Sequence, residues 1–243
     1  MKLLKYVLFL LLLPVATQCV AQNTDLGLLP PQVYFQKVEA KPKKSVNAMA
    51  AYMEKATAMT MRNSNPIPVF TDPLLAAITA KAPRWLRAAG AKNLAVMTHE
   101  DMSADERETH RAFNGRYSSM TFAGTAMFGV KKYNAQVSAA FRDQTNEYAD
   151  LLERDYLVQM DMMGTRPTKK KTWDERVDPK EIKGNYIFRV SFIDAATGVP
   201  VHIEQKTTWN KKSPVKITRE GAIETMEKLV LRGYPKFLKK VAR

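Results

Sequence analysis

The residue types that could do chemistry fall into four groups. His99-Glu100-Asp101 and His110 lie close together, with Asp105, Glu106 and Glu108 between them. Imidazole and carboxylate are zinc ligands. The compact form of such a site puts two histidines one turn apart on a single helix. Here eleven residues and an expected helix start separate them. An acidic first turn, favoured by the helix dipole, accounts for the same residues. Methionines cluster at Met59 and Met61 and again at Met160, Met162 and Met163. Thioethers suit cuprous copper, and they also fill irregular cores. Met160 and Met162 share one face of an expected strand with Tyr156 and Val158, which favours the core. The third group is a basic stretch with one aromatic: Arg166, Lys169, Lys170, Lys171 and Trp173. It offers charge to a phosphate-bearing lipid or an acidic protein surface. A basic tail, Lys236, Lys239, Lys240 and Arg243, offers the same. The fourth is Asp161, a carboxylate inside an apolar strand, which needs a partner if buried.

Other chemistries leave no trace in the pattern. There is no serine nucleophile elbow, phosphate loop or dinucleotide glycine motif. The one cysteine, Cys19, lies in a segment expected to be removed or lipidated, so no Cys–His pair can form in the mature chain. The expectation is a protein without catalytic residues, cofactor or metal.

The first 21 residues read as an export signal. Lys2 and Lys5 precede an apolar run from Tyr6 to Val15, then Ala16-Thr-Gln-Cys-Val-Ala21 supplies small residues. Cleavage after Ala21 places Cys19 and Ala21 at the positions a signal peptidase reads. Lipidation of Cys19 is the other reading, although Gln18 is not the small residue that pattern wants. The full chain carries +14, and loss of Lys2 and Lys5 leaves +12. An exported basic protein meets lipid headgroups, lipopolysaccharide or acidic proteins, and no nucleic acid. The lysines are spread along the chain, so a solvated surface also accounts for the charge.

The elements that must position these groups begin after a polar leader, 22–31, expected to be flexible. Residues 32–243 are expected to form one domain. Gln32–Glu39 reads as a first strand and 46–62 as an amphipathic helix. Ile67–Thr71 reads as a second strand, followed by a helix starting at Asp72-Pro73. Pro83–Ala89 suggests a separate short helix and Asn93–Met97 a strand. Ser103-Ala-Asp-Glu106 is a capping box. Residues 120–130 have no clean period. From about Asn134 onward, Val137, Phe141, Tyr148, Leu151 and Leu152 mark a helix leading to an apolar strand at Asp155–Met163. Asp178–Glu181 suggests a single turn. Tyr186, Phe188, Val190 and Phe192 then alternate through the plainest strand of the chain, and Asp194-Ala-Ala-Thr-Gly198 supplies turn chemistry for a hairpin. A last helix is expected from Glu220 to Leu231, ended by Gly233 and Pro235. The fold class is α/β (α+β): a mixed sheet of about five strands with helices packed on it, closing with a hairpin and a helix.

This order of elements resembles the periplasmic α/β domain of the curli secretion-channel lipoprotein, the penicillin-binding-protein activator lipoproteins and the N-terminal domain of the Tol-system propeller protein. The strands at Ile67–Thr71 and Asp155–Met160 and the hairpin Tyr186–Gly198 carry the resemblance, over roughly 32–78 and 140–232. Residues 79–139 stand as an insertion. The resemblance implies a non-catalytic envelope accessory protein that docks a protein partner, and it supplies no catalytic residues. An oligomeric secretion channel is the alternative it implies, with 117–141 facing the membrane. A periplasmic metal-binding protein is the alternative that the histidines and methionines leave open.

Overall fold

The computed structural model describes residues 24–37, 68–107, 110, 142–166, 181–208 and 215–242. Its centre is a mixed seven-stranded sheet. The strands are β1 (Asp25–Leu28), β2 (Gln32–Lys37), β3 (Asn93–Val96), β4 (Tyr156–Arg166), β5 (Glu181–Asp194), β6 (Pro200–Thr207) and β7 (Val215–Thr218). The helices are α1 (Pro68–Ala88), α2 (142–152) and α3 (Arg219–Val241), with a single turn at 104–107. The α/β class and the mixed sheet expected from the sequence are both present.

The sheet is built outward from β4. It pairs antiparallel with β5 over ten positions, from Tyr156↔Asp194 to Thr165↔Asn185. Its other edge is shared by two short parallel strands. β1 pairs with Tyr156–Val158 and β2 with Asp161–Arg166, so the two act as one interrupted strand. The interruption is Pro30-Pro31, which lack the N–H groups a ladder needs. β3 lies parallel beyond β1, and β6 lies antiparallel beyond β5. β7 pairs antiparallel with the first four residues of β5.

Side-chain alternation sends the two faces to different partners. Val158, Met160 and Met162 of β4 and Tyr186, Phe188, Val190 and Phe192 of β5 form one face. The helices α1 and α3 pack side by side on it. Thr71, Leu74, Ile78, Ala82 and Trp85 recur at three- and four-residue spacing along α1, and Ala222, Met226, Leu229, Gly233 and Phe237 do so along α3. Phe192 and Phe237 stack with centroids 4.8 Å apart, and Tyr156 meets Phe237 edge-on at 5.2 Å. Each fully buried side chain of this size contributes roughly 1.5–3 kcal/mol. The opposite face carries a smaller cluster, in which Tyr148 and Ala149 of α2 meet Leu29, Met97, Leu157 and Ile193.

The hairpin forms as its sequence demands. Asp194 Oδ1 accepts from the Thr197 N–H at 3.0 Å, and Gly198 takes φ +68°, where a glycine suffers no steric penalty. Ser103 and Glu106 close a reciprocal capping box at 2.6 and 3.2 Å. β3 falls where the sequence suggests it.

Several expectations need correction. The leader is not free: Leu26 and Leu28 are core residues of β1. Four residues carry no reading of their own, because β1 is fixed by two distant parallel neighbours. Val69–Thr71 are helical and not strand, and Pro68 opens α1 in the first turn, where a missing N–H costs nothing. The helix runs on through Pro73 and Pro83, so 83–88 is its last part and no separate helix. Glu181–Gly184 belong to β5 rather than to a turn. The last helix continues through Gly233 and Pro235 to Val241. Tyr234, Phe237 and Leu238 extend its buried stripe, and that burial outweighs the two stop signals. The expected helix at 46–62 and the stretch 120–130 lie outside the described residues.

Candidate functional site: a cationic row along the edge strand

Two polar constellations stand out, and they differ in kind. The first is buried in the sheet. Asp161 and Arg189 are directly opposite on β4 and β5, with side chains 0% and 1% exposed. Arg189 donates to Asp161 Oδ2 from Nε at 3.1 Å and from Nη2 at 2.7 Å. Gln159 donates to the other carboxylate oxygen at 3.2 Å. Gln159 faces Ser191 one pair further along. The sequence had marked Asp161 as a carboxylate in need of a partner, and Arg189 is that partner. A one-residue slip of β4 against β5 would put the two charges on opposite faces, so the pair pins the register. Nothing reaches it from solvent, and its chemistry is structural.

The second constellation is exposed and carries more positive than negative charge. Lys228, Arg232, Lys236 and Lys240 follow one another at intervals of four along α3, so all four lie in one row on its surface. All are exposed: the first three by 68, 56 and 50%. The row is anchored on β6. Glu204 accepts from Arg232 Nε at 2.6 Å, from Lys236 Nζ at 2.9 Å and lies 3.2 Å from His202 Nε2. Lys240 Nζ donates to the Val201 carbonyl at 3.0 Å. These contacts set α3 antiparallel to β6. Lys228 pairs with Glu224 at 2.7 Å, one turn back on the same helix.

The electrostatics follow from this geometry. Burial pushes the Glu204 carboxyl up. The Lys236 hydrogen bond, the Arg232 and Lys236 charges and the His202 hydrogen bond outweigh it and hold the group below its ordinary value. Burial against Phe192, then the Lys240 charge, hold the His202 imidazole below its ordinary value despite its bond to Glu204. At neutral pH the cluster is one buried carboxylate under a row of cations. Glu204 offsets one of the two cations it pairs with and Glu224 offsets Lys228, so the four cations of the row keep a positive surplus that faces water.

The close approach that makes this possible rests on Gly233. A Cβ there would meet Glu204 Cβ at 3.0 Å and Phe192 Cε2 at 3.2 Å. Glycine at this point lets α3 settle onto β6, which brings Arg232 and Lys236 within reach of Glu204.

The residues singled out from the sequence are distributed otherwise. Lys236 and Lys240, read there as a tail, are part of this row. Arg166 ends β4 opposite Lys37. Cys19, Lys169, Lys170, Lys171 and Trp173 lie outside the described residues, as do Met59 and Met61. Met160 and Met162 are core. His99 and His110 do meet, with ring centroids 5.8 Å apart, and His110 also meets Tyr148 at 5.3 Å. His110 is fully buried. Burial, then the His99 charge, push it from 6.5 down to about 3, against a hydrogen bond with the Pro30 backbone. Among the described residues no three His, Cys, Asp or Glu side chains converge as metal ligands. No described helix is long and apolar enough to cross a membrane. Sequence reasoning missed His202, Glu204 and Arg232. The available signal was the four-residue spacing of cations from 228 to 240, which is visible only if the helix is carried past Pro235.

No protein-family model matches the chain, and no curated protein matches it. Two solved structures align over 89% of this chain and 86% of their own: the PelC dodecamer from Paraburkholderia phytofirmans, at 8% identity and TM-score 0.29, and a point variant of the same dodecamer, at 9% and 0.28. These scores are too low for a fold or a function to be argued from them.

Proposed function

We propose that this chain is an exported accessory protein of the cell envelope, a non-catalytic docking module that engages an anionic partner through the α3 row. The observation that carries the reading is that row: Lys228, Arg232, Lys236 and Lys240 on one flank of α3, with two of the four held in place by Glu204. Fixed cations lose little side-chain freedom on binding, which favours a binding surface over an ordinary solvated face. The net positive charge of the row also steers an anionic partner toward the sheet edge. The N-terminal pattern of 1–21 supports the place, and the part of the resemblance that rests on the Asp155–Met160 strand and the Tyr186–Gly198 hairpin supports the kind of role. The basic stretch Arg166–Trp173 supplies further positive charge to the same chain.

The test is the mass of the protein recovered from fractionated cells that produce the full chain. The expected result is envelope-fraction protein beginning at Gln22, or carrying acyl chains on Cys19. Protein beginning at Met1 and recovered from the cytosol overturns the reading.

A further inference from the structure

The row runs beside β6, and β6 has a backbone to offer. The Thr208 N–H donates to the Tyr186 carbonyl at 2.8 Å, which fixes the hydrogen-bonded phase of the β5–β6 ladder. Bonded pairs alternate in an antiparallel ladder. With Tyr186 and Thr208 bonded, Phe188↔Lys206, Val190↔Glu204 and Phe192↔His202 are bonded too. The N–H and C=O groups of Ile203, Gln205 and Thr207 therefore point outward, away from β5. Among the described residues no strand pairs with that side of β6. Gln205, Lys206 and Thr207 are exposed. Lys240 already donates to one edge carbonyl, that of Val201.

Two spacings coincide here. Cations four apart on a helix recur about every 6 Å. Side chains on one face of a strand recur about every 6.6–6.8 Å. From Lys228 to Lys240 the row covers about 18 Å, and Val201 to Thr207 covers about 20 Å. The mismatch of about 2 Å is small against the length of lysine and arginine side chains. A strand laid against β6 would thus bring alternate side chains, on its α3 side, within reach of the row, nearest to Arg232, Lys236 and Lys240, which already touch β6.

From this match we infer that β6 accepts an extended acidic segment of a protein partner as an added strand, with acidic side chains at alternate positions meeting Lys228, Arg232, Lys236 and Lys240. Main-chain bonds to Ile203, Gln205 and Thr207 supply the pairing, and the alternating carboxylates supply the choice of partner. A polysaccharide or lipid headgroup uses the cations alone and leaves the edge groups to water. The inference rests on the docking reading above and names the partner's chemistry.

The experiment uses the mature chain and a capped eight-residue peptide alternating glutamate and threonine, titrated at low salt. A second peptide of the same sequence carries a methyl group on every backbone nitrogen, so charge is kept and strand pairing is lost. The first peptide is expected to bind, and the methylated one about tenfold or more weakly. Gln205→Pro removes one outward N–H without touching the β5 ladder. It is expected to weaken the first peptide by about 2–13-fold and to leave binding to phosphatidylglycerol vesicles unchanged. Lys228→Gln with Lys240→Gln is expected to weaken peptide binding by about 2–30-fold. Equal affinity for the methylated peptide overturns the inference, since the row would then act by charge alone. Absence of peptide binding at low salt overturns it, and so do vesicles that displace the peptide at lower concentration. The peptide result stands whether or not the protein is exported, and the export result stands whether or not the peptide binds.

Discussion

Asp161→Ala is the sharpest perturbation of the scaffold. Arg189 places two donors on Asp161 Oδ2, at 3.1 and 2.7 Å, and neither side chain is more than 1% exposed. Removing the carboxylate leaves a guanidinium inside the sheet without its counter-charge, and the Gln159 amide loses its 3.2 Å acceptor. Breaking one side of such a buried pair costs about 3–5 kcal/mol, mostly the desolvation of the charge left behind. For a domain of this size that corresponds to a fall in Tm of roughly 6–20 °C. Urea unfolding followed by circular dichroism reads it directly, and the slope against urea should not change, because the surface exposed on unfolding is the same. The paired replacement Asp161→Leu with Arg189→Met removes both charges. It is expected to lie within about 1 kcal/mol of the wild type or above it, as apolar replacement of buried pairs often does. A loss below about 1 kcal/mol for Asp161→Ala refutes the reasoning: Arg189 would then reach water, and the pair would not be what pins β4 to β5.

Four further outcomes follow from the packing. His110 is held near 3 from an ordinary 6.5, so the unfolded chain binds the extra proton first and stability falls as pH drops below about 6.5. At about pH 5 this amounts to roughly 2 kcal/mol, and urea midpoints of His110→Gln should lack that part of the slope. Glu204 acts in the same direction at lower pH: its folded value lies below 4.5, so its contribution is present above that range and lost as pH falls through it. Gly233→Ala should gain about 1 kcal/mol in helix propensity and still lose overall by about 1 kcal/mol, because Glu204 and Phe192 must retreat from the new methyl group. A more stable variant by calorimetry would show that α3 can lift from β6 at little cost. Among the described residues the buried Tyr234 hydroxyl has no hydrogen-bond partner, so Tyr234→Phe should keep the unfolding free energy or raise it by up to about 1 kcal/mol.

How much of this was legible in the sequence depended on the range of the interactions. The hairpin was plain, because alternation and a D-x-x-T-G turn are local. The capping box at Ser103 was plain for the same reason. β1 was not, because Leu26 and Leu28 gain their places only from β3 and β4, parallel strands far along the chain. β7 is equally short and depends on β5. The end of α3 was misread because Gly233 and Pro235 are strong local stop signals, whereas the burial of Tyr234, Phe237 and Leu238 that overrides them is tertiary. The candidate site shared that fate. Lys236 and Lys240 were read as a tail, and Glu204 drew no functional reading because its cations come from α3, a distant element. Asp161 was legible in part: a carboxylate among apolar neighbours needs a partner if buried, but whether it was buried or faced outward, and which residue met it, required the sheet.

The α3 row is proposed to hold this protein at the cell envelope. The most direct measurement is the share of the full chain that stays with the envelope fraction at low and at high salt, for the wild type and for Lys228→Glu with Lys240→Glu. Neither residue touches Glu204, so the fold is expected to survive, as a circular dichroism spectrum of the purified variant would verify. The account predicts that the wild type is retained at low salt and released at high salt, and that the variant is released at both. Retention of the variant as strong as that of the wild type would contradict it.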